Sequence, residues 1–185
     1  MPHRYLAQDP LYPANLKTKQ RSLREGFPKS LTLRVHRALS WLRRAEEEGD
    51  DDDVRFILLW IGFNAAYAGD VGQASGADER REREVFLDFF RTLVSFDARH
   101  RIYDMVWSRF GQEIRVLLEN RYVYAPFWLH HNGVPGYSNW ELRLEDARRQ
   151  VNRALSEHDT ATLLSLLFDR LYVLRNQLIH GGGTW

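Results

Sequence analysis

Apolar residues recur along most of this chain at the three-and-four spacing of a helix face, and no stretch keeps the two-residue alternation of a strand. Leu31, Val35, Ala38, Leu39 and Leu42 form the first stripe, which predicts a helix from a Ser30 cap to about residue 49. Residues 54–67 are apolar on nearly every side except at Asn64, and so predict the central, fully packed helix. Val85, Phe86, Phe89, Phe90, Leu93 and Phe96 mark a third helix, entered through the charged residues 78–84. A fourth spans residues 101–119 with Ile102, Val106, Phe110, Ile114 and Leu117 inward. Two long helices close the chain. One runs from a Ser138 cap to about residue 157, with Leu144, Ala147, Val151 and Leu155 inward; the other runs from about 160 to 180 through Leu163, Leu167, Leu171, Leu174 and Leu178. The expected fold is all-α, a helical bundle of about six to seven helices with an irregular N-terminal arm.

The segments between the stripes refine this. Residues 1–29 hold four of the six prolines and show no period, so they read as the arm, with residues 30–185 as one helical domain. Within the arm Lys17, Lys19, Arg21, Arg24 and Lys29 are opposed only by Glu25, either a solvated lead-in or a basic segment able to touch phosphates. Asp50 to Asp53 lack the spacing of a calcium loop and read as a cap on the next helix, where negative charge suits the dipole. The glycine-rich residues 69–77 lack the lysine of a phosphate loop and read as a connection. Residues 121–138 read as an irregular connection with one short helical piece, carrying five aromatics and the pair His130–His131. Adjacent histidines diverge on either a helix or a strand, and no third ligand stands nearby. The loop is read as covering the core or making a subunit contact, with no metal site.

Composition narrows the function classes. A length of 185 residues suits a single domain, and 44% hydrophobic with 28% charged residues fits neither a disordered chain nor a membrane protein. The absence of cysteine removes disulfides, thiol nucleophiles and thiolate metal centres. Lysine plus arginine number 26 against 25 acidic residues, so any binding of nucleic acid must come from a local patch. The basic residues are nearly all arginine, whose planar fork pairs well with phosphate. The longest apolar run, residues 56–63, is far short of the roughly 20 needed to span a bilayer. The start lacks the apolar core of a secretory signal, so a cytoplasmic location is expected.

The residues best suited to chemistry close the last helix: Arg175-Asn176-Gln177-Leu178-Ile179-His180-Gly181. Asn176 and His180 are four apart and share a helix face, with Arg175 to one side. Imidazole moves protons near neutrality, guanidinium stabilises a crowded phosphorane, and an amide between them can orient either. The same residues also suit a plain helix end, where cations are favoured by the dipole. Asn64, a polar group on an apolar helix, is either a structural bridge or a group reaching into a site.

The sequence R-N-Q-L-I-H-G-G at the end of an all-helical chain resembles the R-x4-H signature of HEPN domains, and W-I-G-F-N-A-A-Y is similar to the central helix of their Apea-like branch. The resemblance implies a homodimer that brings two motifs to one cleft and, in active members, a metal-independent endoribonuclease with no cofactor, often a toxin or an effector of phage defence. Arg175 and His180 match the signature arginine and histidine, and Asn176 the polar residue that commonly follows the arginine. Asn64 is then a supporting candidate, and Lys17, Lys19, Arg21 and Arg24 are candidates for holding RNA. The implied partners are RNA and an antitoxin or regulator, with no membrane. A relative that has lost cleavage would serve as a dimerisation or RNA-binding module. Members controlled by nucleotidyltransferase antitoxins often carry a tyrosine two residues after the histidine, where this chain has Gly182, so control by adenylylation there is not expected. Relatives usually continue with another helix, so the domain is expected to be truncated at its C-terminus.

Overall fold

The computed structural model describes residues 9–67 and 79–181, and its described residues form nine α-helices and no strand. The all-α class is as expected, with more helices than the hydrophobic stripes predict. The chain divides into two compact units, Met1–Gly76 and Ala77–Trp185. The connection expected at residues 69–77 lies outside the described residues.

The first unit holds α1 (Pro13–Leu23), α2 (Lys29–Glu47) and α3 (Asp52–Tyr67). The segment expected as an irregular arm therefore contains a helix that packs on α2. Its prolines explain the difference. Pro13 is the first helical residue, where a missing N–H costs nothing and a fixed φ favours helix entry. Asp9 prepares that entry, its side chain accepting from the Leu11 N–H at 2.7 Å and its carbonyl from the Asn15 amide at 2.8 Å. Pro28, with φ −54°, holds the boundary of α2, so the helix starts ahead of Ser30 and Ser30 is not its cap. The aspartate run caps α3 as expected, through Asp51, whose carboxylate accepts from the Val54 N–H at 2.9 Å.

α2 and α3 pack together and approach tightly at Gly62. A Cβ there would lie 3.3 Å from Trp41 Cβ and 3.4 Å from the Ala38 carbonyl oxygen. Glycine in a helix costs about 1 kcal/mol relative to alanine, and close helix contact offsets that cost. Ala45 on α2 is fully buried, and Arg55 on α3 reaches Glu46 on α2 at 3.0 Å with both side chains largely shielded. Along α3 the rings of Phe56, Trp60, Phe63 and Tyr67 follow one another with centroids 5.6 to 6.3 Å apart. Only Trp60 and Gly62 of α3 are buried, so it is not the fully packed helix its composition predicts.

α9 (Thr160–Ile179) in the second unit buries more of its residues than α3 does; that unit also contains α4 (Glu79–Ser95), α5 (Arg101–Asp104), α6 (Gly111–Glu119), α7 (Ala125–His131) and α8 (Trp140–Ser156). Leu163, Leu164 and Val173 of α9 are buried where it packs with α4, α6 and α8. Phe168 meets Phe90 of α4 at 4.9 Å between ring centroids. The single helix expected over residues 101–119 is divided by a π turn at Met105–Arg109, with the Phe110 N–H bonded to the Met105 carbonyl at 3.0 Å. Widening that turn rotates α6 relative to α5. Val106 is buried within it and Ile114 and Leu118 after it, while Phe110 is 38% exposed. Phe96, expected on the inner face of α4, falls beyond the helix end and is 78% exposed. α8 begins at Trp140 rather than from a Ser138 cap, and Asn139 before it binds Arg143 Nε at 2.9 Å. No helix among the described residues is long and apolar enough to cross a membrane.

The approach at Gly62 gives a direct prediction. Gly62→Val should destabilise the first unit by about 1–3 kcal/mol through overpacking against α2. The urea midpoint reported by tryptophan fluorescence checks it, and a midpoint equal to wild type would refute the close approach.

Candidate functional site

α9 is positioned at both ends by its own sequence. At the start, the Asp159 carboxylate accepts from the Thr162 N–H at 3.0 Å and the Thr162 hydroxyl at 2.6 Å. At the end, the His180 N–H reaches the Asn176 carbonyl at 2.9 Å, and Gly181 with φ +68° turns the chain out of the helix. Gly182 and Gly183 lie outside the described residues.

Arg175, Asn176 and His180 therefore occupy the final turns of the helix at the core of the second unit. Arg175 Nη1 donates to Asn176 Oδ1 at 2.8 Å, so the guanidinium and the amide form one unit. Arg175 is half-buried, and its Nε is buried without a hydrogen-bond partner. His180 is exposed. Positions five apart differ by about 140° around a helix, so Arg175 and His180 leave α9 on different sides. Asn176, one turn before His180 and bonded to Arg175, stands between them. The arrangement offers a held guanidinium, an oriented amide and an accessible imidazole.

A neighbouring layer was not legible from residue types. Gln177 Nε2 donates to the Tyr122 carbonyl at 2.6 Å, and Trp128 Nε1 donates to the same oxygen at 2.7 Å, tying the end of α9 to the segment before α7. The Tyr122 hydroxyl accepts from Arg121 at 2.9 Å. Further back along α9, Arg170 is buried with its guanidinium carbon 4.2 Å from the centre of the Tyr124 ring. Burial pushes the Arg170 guanidinium below its ordinary value; Tyr124 and Asp169 oppose that, and Arg148 adds to it. The aromatic loop packs inward: Phe127 is buried, its ring 4.0 Å from that of His131, whose Nδ1 donates to the Phe127 carbonyl at 2.7 Å. Among the described residues no group of three histidine, aspartate or glutamate side chains is placed to hold a metal ion.

The other candidates lie in the first unit. Asn64 is half-buried on α3, among the residues of its aromatic run. Lys17, Arg21 and Arg24 share one face of α1 and its extension at the spacing i, i+4, i+7, while Lys19 is exposed on the opposite side. Comparison with protein-family models, curated proteins and solved structures gave no match, so the functional reading rests on residues and geometry.

Asp159 anchors the helix that carries the site, and its titration is readable. Burial disfavours its charged form, but the Thr162 hydroxyl and N–H, the Arg91 charge and the Ala161 N–H outweigh this and hold the carboxyl below its ordinary 3.8. On acidification the unfolded chain takes up this proton first. The stabilisation is therefore complete above that ordinary value and is lost as pH falls through the lower folded-state value. Asp159→Ala should cost about 1 kcal/mol at pH 7. In urea titrations the gap from wild type should narrow at acid pH, and an unchanged gap would show that the carboxylate charge contributes nothing.

Proposed function

We propose that this chain is a cytoplasmic, metal-independent endoribonuclease of the HEPN type, acting as a homodimer in a toxin or defence system. The observation that carries the reading is Arg175, Asn176 and His180 at the end of α9, with Arg175 bonded to Asn176 and His180 exposed. In this mechanism an RNA 2′-hydroxyl attacks the adjacent phosphorus. The 2′-oxygen–phosphorus bond forms, the bond to the 5′-oxygen breaks, and the ends are a 2′,3′-cyclic phosphate and a 5′-hydroxyl. His180 accepts the 2′-hydroxyl proton or supplies one to the leaving 5′-oxygen. Arg175 stabilises the phosphorane charge, held in place by Asn176. The divergence of Arg175 and His180 around α9 supports a cleft completed by a second copy, in which one protomer's histidine and its partner's arginine face the same phosphate. DNA lacks the nucleophile and is spared.

The competing reading is a HEPN-like module that dimerises or holds RNA without cutting it. The half-buried state of Arg175, with one donor already spent on Asn176, favours that reading. Incubating single-stranded RNA with the protein in excess EDTA separates the two. Wild type should generate cyclic phosphate ends, and Arg175→Ala and His180→Ala should each lower the rate at least about a hundredfold, a loss within the range for one acid–base or oxyanion group. Intact RNA with folded, dimeric wild type would overturn the nuclease in favour of the module.

A further inference from the structure

The first unit contains a second concentration of charge. Between residues 17 and 44 the chain carries nine lysines and arginines and one acidic residue, Glu25, whereas residues 46–53 include seven acidic residues. The net charge of +1 hides this segregation. Folding gathers part of the basic set. A cleft of about 660 Å³ runs between α1 and α2, lined by Lys17 and Arg21 from α1 and His36, Ser40 and Arg43 from α2.

The charges in this cleft are poorly matched by the protein itself. Lys17 Nζ meets an imidazole, donating to His36 Nδ1 at 2.5 Å. Among the described residues no carboxylate lies within ion-pair distance of Lys17 or Arg21. The two glutamates lining the cleft are engaged, Glu46 with Arg55 at 3.0 Å and Glu47 with Arg43 at 3.6 Å. Burial, together with the charges of Arg21, Arg24 and Arg43, holds the Lys17 ammonium below its ordinary value. A bound anion relieves that repulsion. Arg24 extends the Lys17–Arg21 row by a further turn, so the cations form a track longer than one phosphate would occupy.

We propose that the α1–α2 cleft holds the phosphate backbone of an RNA strand, with Lys17, Arg21, His36 and Arg43 as its contacts. This deepens the reading of the chain as an RNA enzyme and rests on it for the choice of RNA, but binding and cleavage are separable. A strand can be held here whether or not it is cut at α9. Phosphate contacts position a strand without reading its sequence, so the cleft should bind diverse sequences alike.

The test is fluorescence anisotropy with a labelled single-stranded RNA oligonucleotide in EDTA, using the full chain carrying His180→Ala so that cleavage cannot contribute. Lys17→Ala, Arg21→Ala and Arg43→Ala should each weaken binding several-fold at low salt. Each should also flatten the dependence of log affinity on log salt by about 0.7 per lost contact. Lys19→Ala removes the same charge from the opposite face of α1 and should change affinity less than about twofold, since its charge lies off the phosphate track. Arg21→Lys keeps the charge and should retain most binding, which separates charge loss from misfolding. Equal effects of Lys19→Ala and the cleft variants would overturn the site, as would absence of RNA binding. Displacement of RNA by micromolar pyrophosphate would overturn it too, by reassigning the cleft to a small phosphate ligand. Failed cleavage with intact cleft binding would sink the nuclease alone, and cleavage unaffected by the cleft variants, with binding unaffected too, would sink the cleft alone.

Discussion

The second unit depends on one helix that must bury one face against its neighbours and still end in polar groups. Leu163, Leu164 and Val173 of α9 supply the core on which α4, α6 and α8 pack. Burying a charge inside such a core is expensive, and α9 handles its two arginines differently. Arg170 lies against the π face of Tyr124, and the ring together with the nearby Asp169 charge provides electrostatic compensation. Arg175 comes later, where the helix is leaving the core, and is tied to the amide of Asn176. The imidazole of His180 falls in solvent because Gly181 ends the helix there. The same packing that stabilises the unit thus sets how far guanidinium, amide and imidazole are exposed along its final turns.

The first unit obeys a different constraint, that of bringing helices close. Gly62 removes the side chain that would hold α3 away from α2, and the shielded Arg55–Glu46 pair joins the same two helices. Breaking such a pair from one side strands a charge, so it fixes the pairing more than it adds net stability. With α2 occupied by α3 on one side, α1 packs elsewhere on α2 and brings Lys17 and Arg21 opposite His36 and Arg43. Seven acidic residues gather over residues 46–53, and of the cleft's cations Arg43 pairs with one of them, Glu47, while Lys17 and Arg21 have no carboxylate within ion-pair distance among the described residues.

Helix class and most helix positions are legible in the sequence because apolar spacing directly reflects which face leaves water. Leu144, Val151 and Leu163 point inward by spacing alone and are buried. Where sequence and structure differ, the causes are specific. Pro13 reads as a breaker because proline favours both loops and helix starts, and only the chain around it decides between them. The π turn at Met105–Arg109 has no compositional mark, yet it moves burial from Leu117 to Leu118. Hydrophobicity ranks α3 above α9, but that property does not reveal how many neighbours a helix acquires. Arg175, Asn176 and His180 are legible as a motif, whereas the Tyr122 carbonyl that receives Gln177 and Trp128 is not, since any residue supplies a carbonyl. His36 and Arg43 are likewise invisible as companions of Lys17 until α1 is seen to be a helix lying on α2.

The central claim is that arginine and histidine on the final turns of α9 act together across two copies of the chain. Mixing the Arg175→Ala and His180→Ala proteins, each lacking one of the two groups, tests this most directly once native mass spectrometry shows that mixed dimers have formed. The mixed dimer carries one site with an intact arginine from one copy and an intact histidine from the other. The account predicts that RNA cleavage returns in the mixture, with the same cyclic phosphate ends as wild type. Mixed dimers that leave RNA intact, under conditions where wild type cuts it, would contradict a site shared in this way.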